Sequence, residues 1–458
     1  MDTMWLPHLD ERAGPLYRGI ADALAEDLAA GRLPAGARLP THRELAERLG
    51  VTVGTVSRAY AEASRRGLLS GEVGRGTFVR SWAEPDAASP GFLDLGVNVP
   101  ALPAEDPVRG ALRETLAQLA DGPELGRLMT YPPDGGLPAH REAGAAWIER
   151  SGLEADPERV LVCAGSQHAV TILLQTLLQP GDVVLAEELS YPGLKSVAAL
   201  LRLRLQGLPL DRDGLRPEAF EEACRAGARV LYTVPTIQNP TTSVMPEERR
   251  REIARIARAH GAWVIEDDIH ALLPDERPSP IAAEAGERCF YLSSTSKSLA
   301  PGLRTSYLLA PAEHVDRLAA AARATTWGSA PLLAEVAARW IRDGRADEIL
   351  LGRRREAQAR QALARDSLAG VRFDAHPCGY HCWLHLPEPW RSESFAAEAR
   401  RHGVGVAQAE AFVVGRGSAP HAVRLSLGAA RTRAELSRAL GTLASLLGAP
   451  TDAGLAIV

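Results

Sequence analysis

Four residues are spaced in a way that invites a chemical reading: Asn239 in "PTIQNPT", Asp267 in "WVIEDDIH", and Lys297 and Arg304 in "YLSSTSKSLAPGLRTSY". Only two lysines, Lys195 and Lys297, occur among the 52 lysines and arginines of the chain. A primary amine forms an imine with an aldehyde, whereas a guanidinium does not do so usefully at neutral pH. A lysine kept where arginine has otherwise taken over points to chemistry instead of charge; the plain alternative, a surface lysine, is the reading given to Lys195. Asp267 closes an apolar run, where a carboxylate can face a pyridine nitrogen and keep it protonated, so that the ring draws electrons. Asn239 offers a neutral donor suited to a phenolic oxygen. Each motif has a blander reading on its own. NPT is often only a turn, and a carboxylate pair at a strand end is often a metal site or a salt bridge.

Such residues need a frame that brings them to one edge. The short apolar runs "RVLVCAG", "DVVLAEE", "RVLYTVP", "AWVIEDD" and "RCFYLSS" read as buried strands, separated by helical segments such as 166–178 and 246–260. Strand and helix in alternation imply a largely parallel sheet covered on both faces, with functional residues at the carboxyl ends of its strands. "CAGSQHA" fits that frame as a Gly-Ser turn opening a helix, where backbone N–H groups and the helix dipole favour a phosphate.

The first 80 residues are patterned differently. Leu16, Ile20, Leu24 and Leu28 recur at four-residue spacing and predict one face of a helix that ends near Gly31. "PTHRELAERLG" places Thr41 three residues before Glu44, a capping box opening a short helix that Gly50 closes. A second helix follows, with Val56, Tyr60 and Ala63 inward and Gly67 as its stop, and then "LLSGEVGRGTFV" predicts a hairpin. This is the order of a winged helix-turn-helix, whose second helix lies in the major groove while the Gly-rich wing reaches the backbone or minor groove. Arg38, Thr41, Arg43, Thr52, Thr55, Ser57, Arg58 and Arg75 are the expected DNA-facing residues. A solvated surface in an Arg-rich protein would offer the same arginines one by one, and the ordered set of elements is what favours DNA. Net charge is −5, yet residues 11–80 carry 11 arginines against 8 acidic residues, so this region is basic while the rest is more acidic.

Residues 15–80 resemble the GntR family of bacterial regulators in "LPAGARLPTHRELAERLGVTVGTVSRAYAEASRRGLL" and "GEVGRGTFV". The chain departs at Val53-Gly54, where many relatives carry Arg-Asn at the start of the recognition helix. Residues 93–447 resemble the fold-type I aminotransferases, the class of aspartate aminotransferase, through the order Asn239, Asp267, Lys297, Arg304. That resemblance implies pyridoxal 5'-phosphate as cofactor, with Lys297 the Schiff-base lysine and Asp267 the partner of the pyridine nitrogen. It gives Asn239 the phenolic oxygen, and Ser166, Gln167, Ser294 and Arg304 the phosphate. Tyr191 would stack on the ring, and Arg424 in "VRLSLG" would grip a substrate carboxylate with its planar fork. Tyr131 matches a tyrosine that reaches the phosphate of a neighbouring subunit's site, which implies a homodimer. Relatives usually have tyrosine where this chain has His270, three residues after Asp267. The imidazole can still donate to the phenolic oxygen, and it is expected to titrate near neutrality.

Together the halves resemble the MocR subfamily. The expected fold is α/β: a winged helix-turn-helix at 12–80, a linker at 81–92 ("SWAEPDAASPGF"), and at 93–450 an aminotransferase-like domain ending in a small C-terminal α/β subdomain. The expected function is a regulator that binds double-stranded operator DNA and senses a carboxylate-bearing amine or amino acid, or the cofactor itself, by imine exchange at Lys297. A working aminotransferase with an accessory DNA module competes with it, since nothing that transamination needs is visibly missing. A pure DNA-binding scaffold would leave Lys297 and its companions unexplained. No basic n-region with an apolar run and no stretch of about 18 apolar residues is visible, so the protein is expected in the cytoplasm, off the membrane. Five scattered cysteines suggest reduced thiols. Cys378 and Cys382 in "HPCGYHCWLH" have no second ligand pair at finger-like spacing and are read as packed strand residues, with no metal.

Overall fold

Five apolar runs that read as strands from the sequence form strands: Val160–Cys163, Val183–Glu187, Val230–Thr233, Trp263–Asp267 and Cys289–Ser294. The computed structural model describes residues 5–7, 15–29, 32–33, 37, 39–65, 68–72, 76–79, 92–102, 106–415 and 417–448, and divides the chain into two compact units, Met1–Pro90 and Gly91–Val458.

In the second unit a seven-stranded sheet runs in the order Val160–Cys163, Ser306–Leu309, Cys289–Ser294, Trp263–Asp267, Val230–Thr233, Val183–Glu187 and Arg204–Leu208. Ser306–Leu309 is antiparallel to both neighbours, and the other pairs are parallel. The runs look continuously apolar because both faces are covered. Val264 and Leu185 belong to one packed cluster with Trp147, Trp340 and Ile253, while their neighbours Ile265 and Val184 belong to another with Leu173 and Phe290. A four-stranded antiparallel sheet, Phe373–Ala375, His381–His385, Ala422–Ser426 and Ala407–Gln408, makes the C-terminal subdomain around its own core. Residues just after the sequence-predicted linker join it: Leu93–Asp94 pairs in parallel with Val404–Gly405.

In the first unit, helices α1 (Leu16–Ala29), α2 (His42–Leu49) and α3 (Val53–Arg65) precede an antiparallel hairpin of β1 (Leu69–Glu72) and β2 (Gly76–Val79). The capping box is formed: Thr41 Oγ1 accepts from the Glu44 N–H at 3.3 Å and the Thr41 N–H donates to Glu44 Oε2 at 2.8 Å. Gly50 closes α2 in the left-handed region at φ 63°. Ile20, Leu24, Leu45, Val56, Tyr60 and Ala63 build the core. Leu16 does not belong to the buried face, being 46% exposed; it is the first residue of α1, and helical side chains lean toward the N-terminus, where no preceding turn lies beneath it, although the four-residue spacing placed it there. Gly31, Gly67 and residues 81–91 of the expected linker 81–92 lie outside the described residues. Cys382 sits buried in its strand, while Cys378 is buried in the turn before it, where its Sγ accepts from Gln358 Nε2 at 3.6 Å, so only one of the two is a strand residue. Among the described residues no helix is long and apolar enough to cross a membrane.

Candidate functional site

The carboxyl ends of three neighbouring strands gather the residues singled out by spacing. Asp267 ends its strand buried, and Oδ2 accepts from the Tyr232 hydroxyl on the adjacent strand at 2.5 Å. Register explains the pairing: Tyr232 lies opposite Ile265, so with Asp267 two residues on, all three share one face. The other oxygen, Asp267 Oδ1, is buried without a hydrogen-bond partner among the described residues. Burial pushes the Asp267 carboxyl up to about 7, with Asp268 and Glu187 adding to the rise and the Tyr232 hydroxyl and Lys297 opposing it. Its sequence neighbours do other work. Glu266 accepts from the Ile281 and Ala282 N–H groups at 2.9 Å each, and Asp268 accepts from the Tyr291 hydroxyl at 3.3 Å.

Lys297 stands in the helical turn Thr295–Ser298 that follows Cys289–Ser294. Its Nζ donates to the Asn98 carbonyl, and its own carbonyl accepts from the Tyr380 hydroxyl at 2.7 Å. Burial, together with the nearby Arg424 charge and against the pull of Asp267, lowers the Lys297 ammonium to about 8. An amine of that pKa is neutral often enough near pH 7 to act as a nucleophile.

Arg424 is buried in the strand Ala422–Ser426, with its Nη1 on Asn239 Oδ1 at 2.8 Å, its Nη2 on the Gly96 carbonyl and its guanidinium 4.9 Å from the Phe412 ring centroid. Donation to Asn239 Oδ1 turns that amide so that Nδ2 remains as a donor. Arg424 Nε is buried without a partner among the described residues. Tyr191, opening the helix Pro192–Leu200, feels the charges of Asp267, Arg304 and Arg424, which places it in the same cluster.

The helix Ser166–Leu177 starts after Gly165, at φ 90° and ψ 164°, with no side chain capping it. Its first N–H groups are therefore available to an anion. A Cβ on Gly165 would stand 2.4 Å from Arg304 Nη2, so glycine is what admits the guanidinium. Arg304 itself is left-handed at φ 46°, and its Nη2 donates to the Ala164 carbonyl at 3.3 Å. Ser294 Oγ caps the Lys297 turn, accepting from the Ser296 N–H at 3.1 Å. Gln167 Nε2 donates to the Gly193 carbonyl at 2.9 Å, and its buried Oε1 has no partner among the described residues.

His270 departs from the sequence expectation. It is buried, both ring nitrogens lack partners among the described residues, and desolvation drives its pKa well below the usual value, with Lys297, His381, His376 and Arg424 repelling a further positive charge. The imidazole stays neutral instead of titrating near neutrality. Tyr131 is 78% exposed beside Trp327, ring centroids 5.1 Å apart, and among the described residues no hydrogen bond or ring contact joins it to the cluster.

In the first unit Arg43 and Arg58 are exposed, and Val53 is exposed at the start of α3. Three of the hydroxyls expected to face DNA have internal partners. Thr52 Oγ1 caps α3, accepting from the Thr55 N–H at 3.2 Å with the Thr55 hydroxyl at 2.9 Å, and Ser57 Oγ lies 3.2 Å from His42 Nδ1. Arg38 and Arg75 lie outside the described residues.

Residues 90–443 match the family described as aminotransferase class I and II, and residues 16–79 match the bacterial regulatory proteins of the gntR family. The HTH-type transcriptional regulator YdeF of Bacillus subtilis (strain 168) is 33% identical over 451 residues, 97% of this chain and 96% of that protein. "Probable rhizopine catabolism regulatory protein MocR" of Rhizobium meliloti is 29% identical over 333 residues, 66% of each chain. The chain is a MocR-type GntR regulator. Among solved structures, the alpha-aminoadipate aminotransferase LysN of Thermus thermophilus, complexed with N-(5'-phosphopyridoxyl)-L-leucine, matches with a TM-score of 0.67 at 28% identity, covering 78% of this chain and 94% of that one.

Three residues of this MocR-type site escaped the sequence reading. Tyr232, Asn98 and His381 bear on Asp267 and Lys297 only through strand order and through a segment about 200 residues distant from Lys297 in the chain. The signal for Tyr232 was available in principle, since period-two alternation puts it on the face of Asp267 once the two strands are taken as neighbours. Asn98 in "LGVNVP" and His381 in "GYHCW" carry no comparable local signature.

Proposed function

We propose that this regulator binds pyridoxal 5'-phosphate in its second unit and couples exchange of a small amine at Lys297 to DNA binding by its first. The observation that carries the cofactor reading is Asp267 Oδ1, a buried carboxylate oxygen without a partner among the described residues, in a carboxyl that burial has raised to about 7 and that also feels the Lys297 charge. A protonated pyridine nitrogen is the donor that such an oxygen lacks. The rest of the donor set agrees. Asn239 and neutral His270 suit a phenolic oxygen, Tyr191 a ring face, and the uncapped helix start at Ser166 and Gln167, with Ser294 and Arg304, a phosphate.

When bound, the cofactor would supply an aldehyde for imine formation and an electron-withdrawing ring. The chain's own residues hold Lys297 as an amine that is readily deprotonated, fix the Asn239 amide as a donor through Arg424, and present Arg424 to a ligand carboxylate. The effector class that follows is an amine carrying a carboxylate. The first unit, with Arg43 and Arg58 exposed around α3, is the reader of double-stranded operator DNA. Tyr131, exposed beside Trp327, is assigned to a partner copy's phosphate, making the working form a homodimer.

The test is reconstitution followed by borohydride reduction and peptide mapping. The cofactor's mass should be fixed on Lys297, and Lys297→Ala should lose the visible imine band. A band that survives in Lys297→Ala overturns the assignment. A working transaminase is the second reading, favoured by the likeness to LysN and by Lys297 and Arg424 standing in one cluster. It requires stoichiometric formation of a 2-oxo acid from an amino acid in a single turnover, together with DNA binding indifferent to that amino acid.

A further inference from the structure

Two residues that the proposed function assigns to a ligand both donate to one short stretch of backbone. Lys297 Nζ donates to the Asn98 carbonyl, and Arg424 Nη2 donates to the Gly96 carbonyl. The stretch is fastened from the C-terminal subdomain as well. The Ser426 N–H donates to the Leu95 carbonyl at 2.8 Å, the Val99 N–H donates to Ser426 Oγ at 3.4 Å, and Asn98 Nδ2 lies 3.3 Å from His381 Nδ1. His381 Nε2 lies 3.2 Å from the Gln238 carbonyl, which can only accept. Nε2 therefore carries the proton, and Nδ1 accepts from the Asn98 amide. Gln238 directly precedes Asn239, so one imidazole braces the Asn98 stretch against the turn that holds Asn239. The fit is close: a Cβ on Gly428 would stand 1.9 Å from the Val99 carbonyl oxygen. In sequence, Gly96–Asn98 follows within a few residues the chain that leads from the DNA-binding unit, and Leu93–Asp94 between them is paired to Val404–Gly405.

We infer that Gly96–Asn98 reads the state of the ligand site and passes it toward the DNA-binding unit, with Asn98 and His381 as positioning residues. This rests on the proposed reading of Lys297 and Arg424. When a ligand amine replaces the lysine, the carbon–nitrogen bond to Lys297 breaks as the bond to the ligand nitrogen forms. Two protons pass from the ligand amine to the lysine nitrogen, with no change of oxidation state. The released amine needs an acceptor, and Asn98 O is the one that free Lys297 uses. A ligand carboxylate on Arg424 competes with the Gly96 carbonyl for the same guanidinium. A ligand with both groups acts on both carbonyls, whereas a plain amine acts on one and a plain carboxylate on the other. That difference in contacts is what lets a ligand shift a two-state element.

The experiment uses full-length, cofactor-loaded protein and three probes that differ by one group: L-alanine, ethylamine and propionate. The visible band and the affinity for a DNA duplex selected by the protein from a random pool are followed together. L-alanine should change DNA affinity most, ethylamine should shift the band with a smaller change in affinity, and propionate should leave the imine band in place. In Asn98→Ala the amine concentration for half-conversion of the band should rise about fivefold, the weight of one hydrogen bond, and the DNA response to L-alanine should fall. His381→Phe should behave alike, and His381→Gln, whose Oε1 can accept from Asn98, should recover most of the difference. Wild-type half-conversion and DNA response in Asn98→Ala and His381→Phe overturn the inference. So do equal DNA responses to L-alanine and ethylamine in the wild type, a comparison that needs no variant to fold. A wild type with no band, or with no DNA response to any amine, overturns the proposed function instead.

Discussion

Lys297 owes its reactivity to its neighbours. Burial and the Arg424 charge lower its ammonium to about 8, so its neutral fraction rises about tenfold per pH unit below that value and levels above it. The rate at which the cofactor-free protein captures pyridoxal phosphate should follow the same curve in stopped-flow absorbance. Arg424→Gln removes the leading charge, so the midpoint should move upward. Asp267→Ala removes the proposed acceptor for the pyridine nitrogen together with the Tyr232 contact, and should weaken cofactor retention by at least about tenfold in equilibrium dialysis. At this scale the sequence was informative where chemistry restricts residue type, as with Lys297 and Asp267, and silent where a role comes from position alone. Tyr232 and Asn98 matter because of what the sheet and the N-terminal segment set beside them, and their types do not announce it. The expected titration of His270 failed for the same reason: a histidine's pKa is set by burial and nearby cations, and spacing records neither.

The elements act by setting ends and close approaches. Gly165 combines φ 90° with a Cβ position 2.4 Å from Arg304, so Gly165→Ala should displace the guanidinium and weaken cofactor binding more than it lowers the melting temperature, as paired titration and thermal unfolding would show. Ile265, buried within the central strand, belongs to packing: Ile265→Ala should cost about 2–5 kcal/mol in denaturant unfolding. Strands and helices were legible because a sheet covered on both faces leaves unbroken apolar runs, and because Thr41 and Gly50 are specific helix-end signals. Ser306–Leu309 was not, since a strand's direction follows from the path of its connections and leaves no mark on its composition. Leu16 was misplaced because a four-residue repeat marks a face without saying where burial begins.

At the scale of the whole chain, a basic reader is joined to a larger acidic body that carries the candidate cofactor site. DNA affinity should fall steeply with salt, because arginine contacts to phosphate release counterions, and Arg58→Ala should reduce the slope of that dependence by roughly one unit. In the proposed function, ligand exchange at Lys297 controls DNA binding. The decisive experiment titrates L-alanine into full-length wild type and Lys297→Ala bound to the selected duplex, both supplied with pyridoxal phosphate. An affinity change of about fivefold to a hundredfold, the usual span of coupling between two sites, is expected in the wild type and none in Lys297→Ala. A response of equal size in Lys297→Ala would contradict the proposed function.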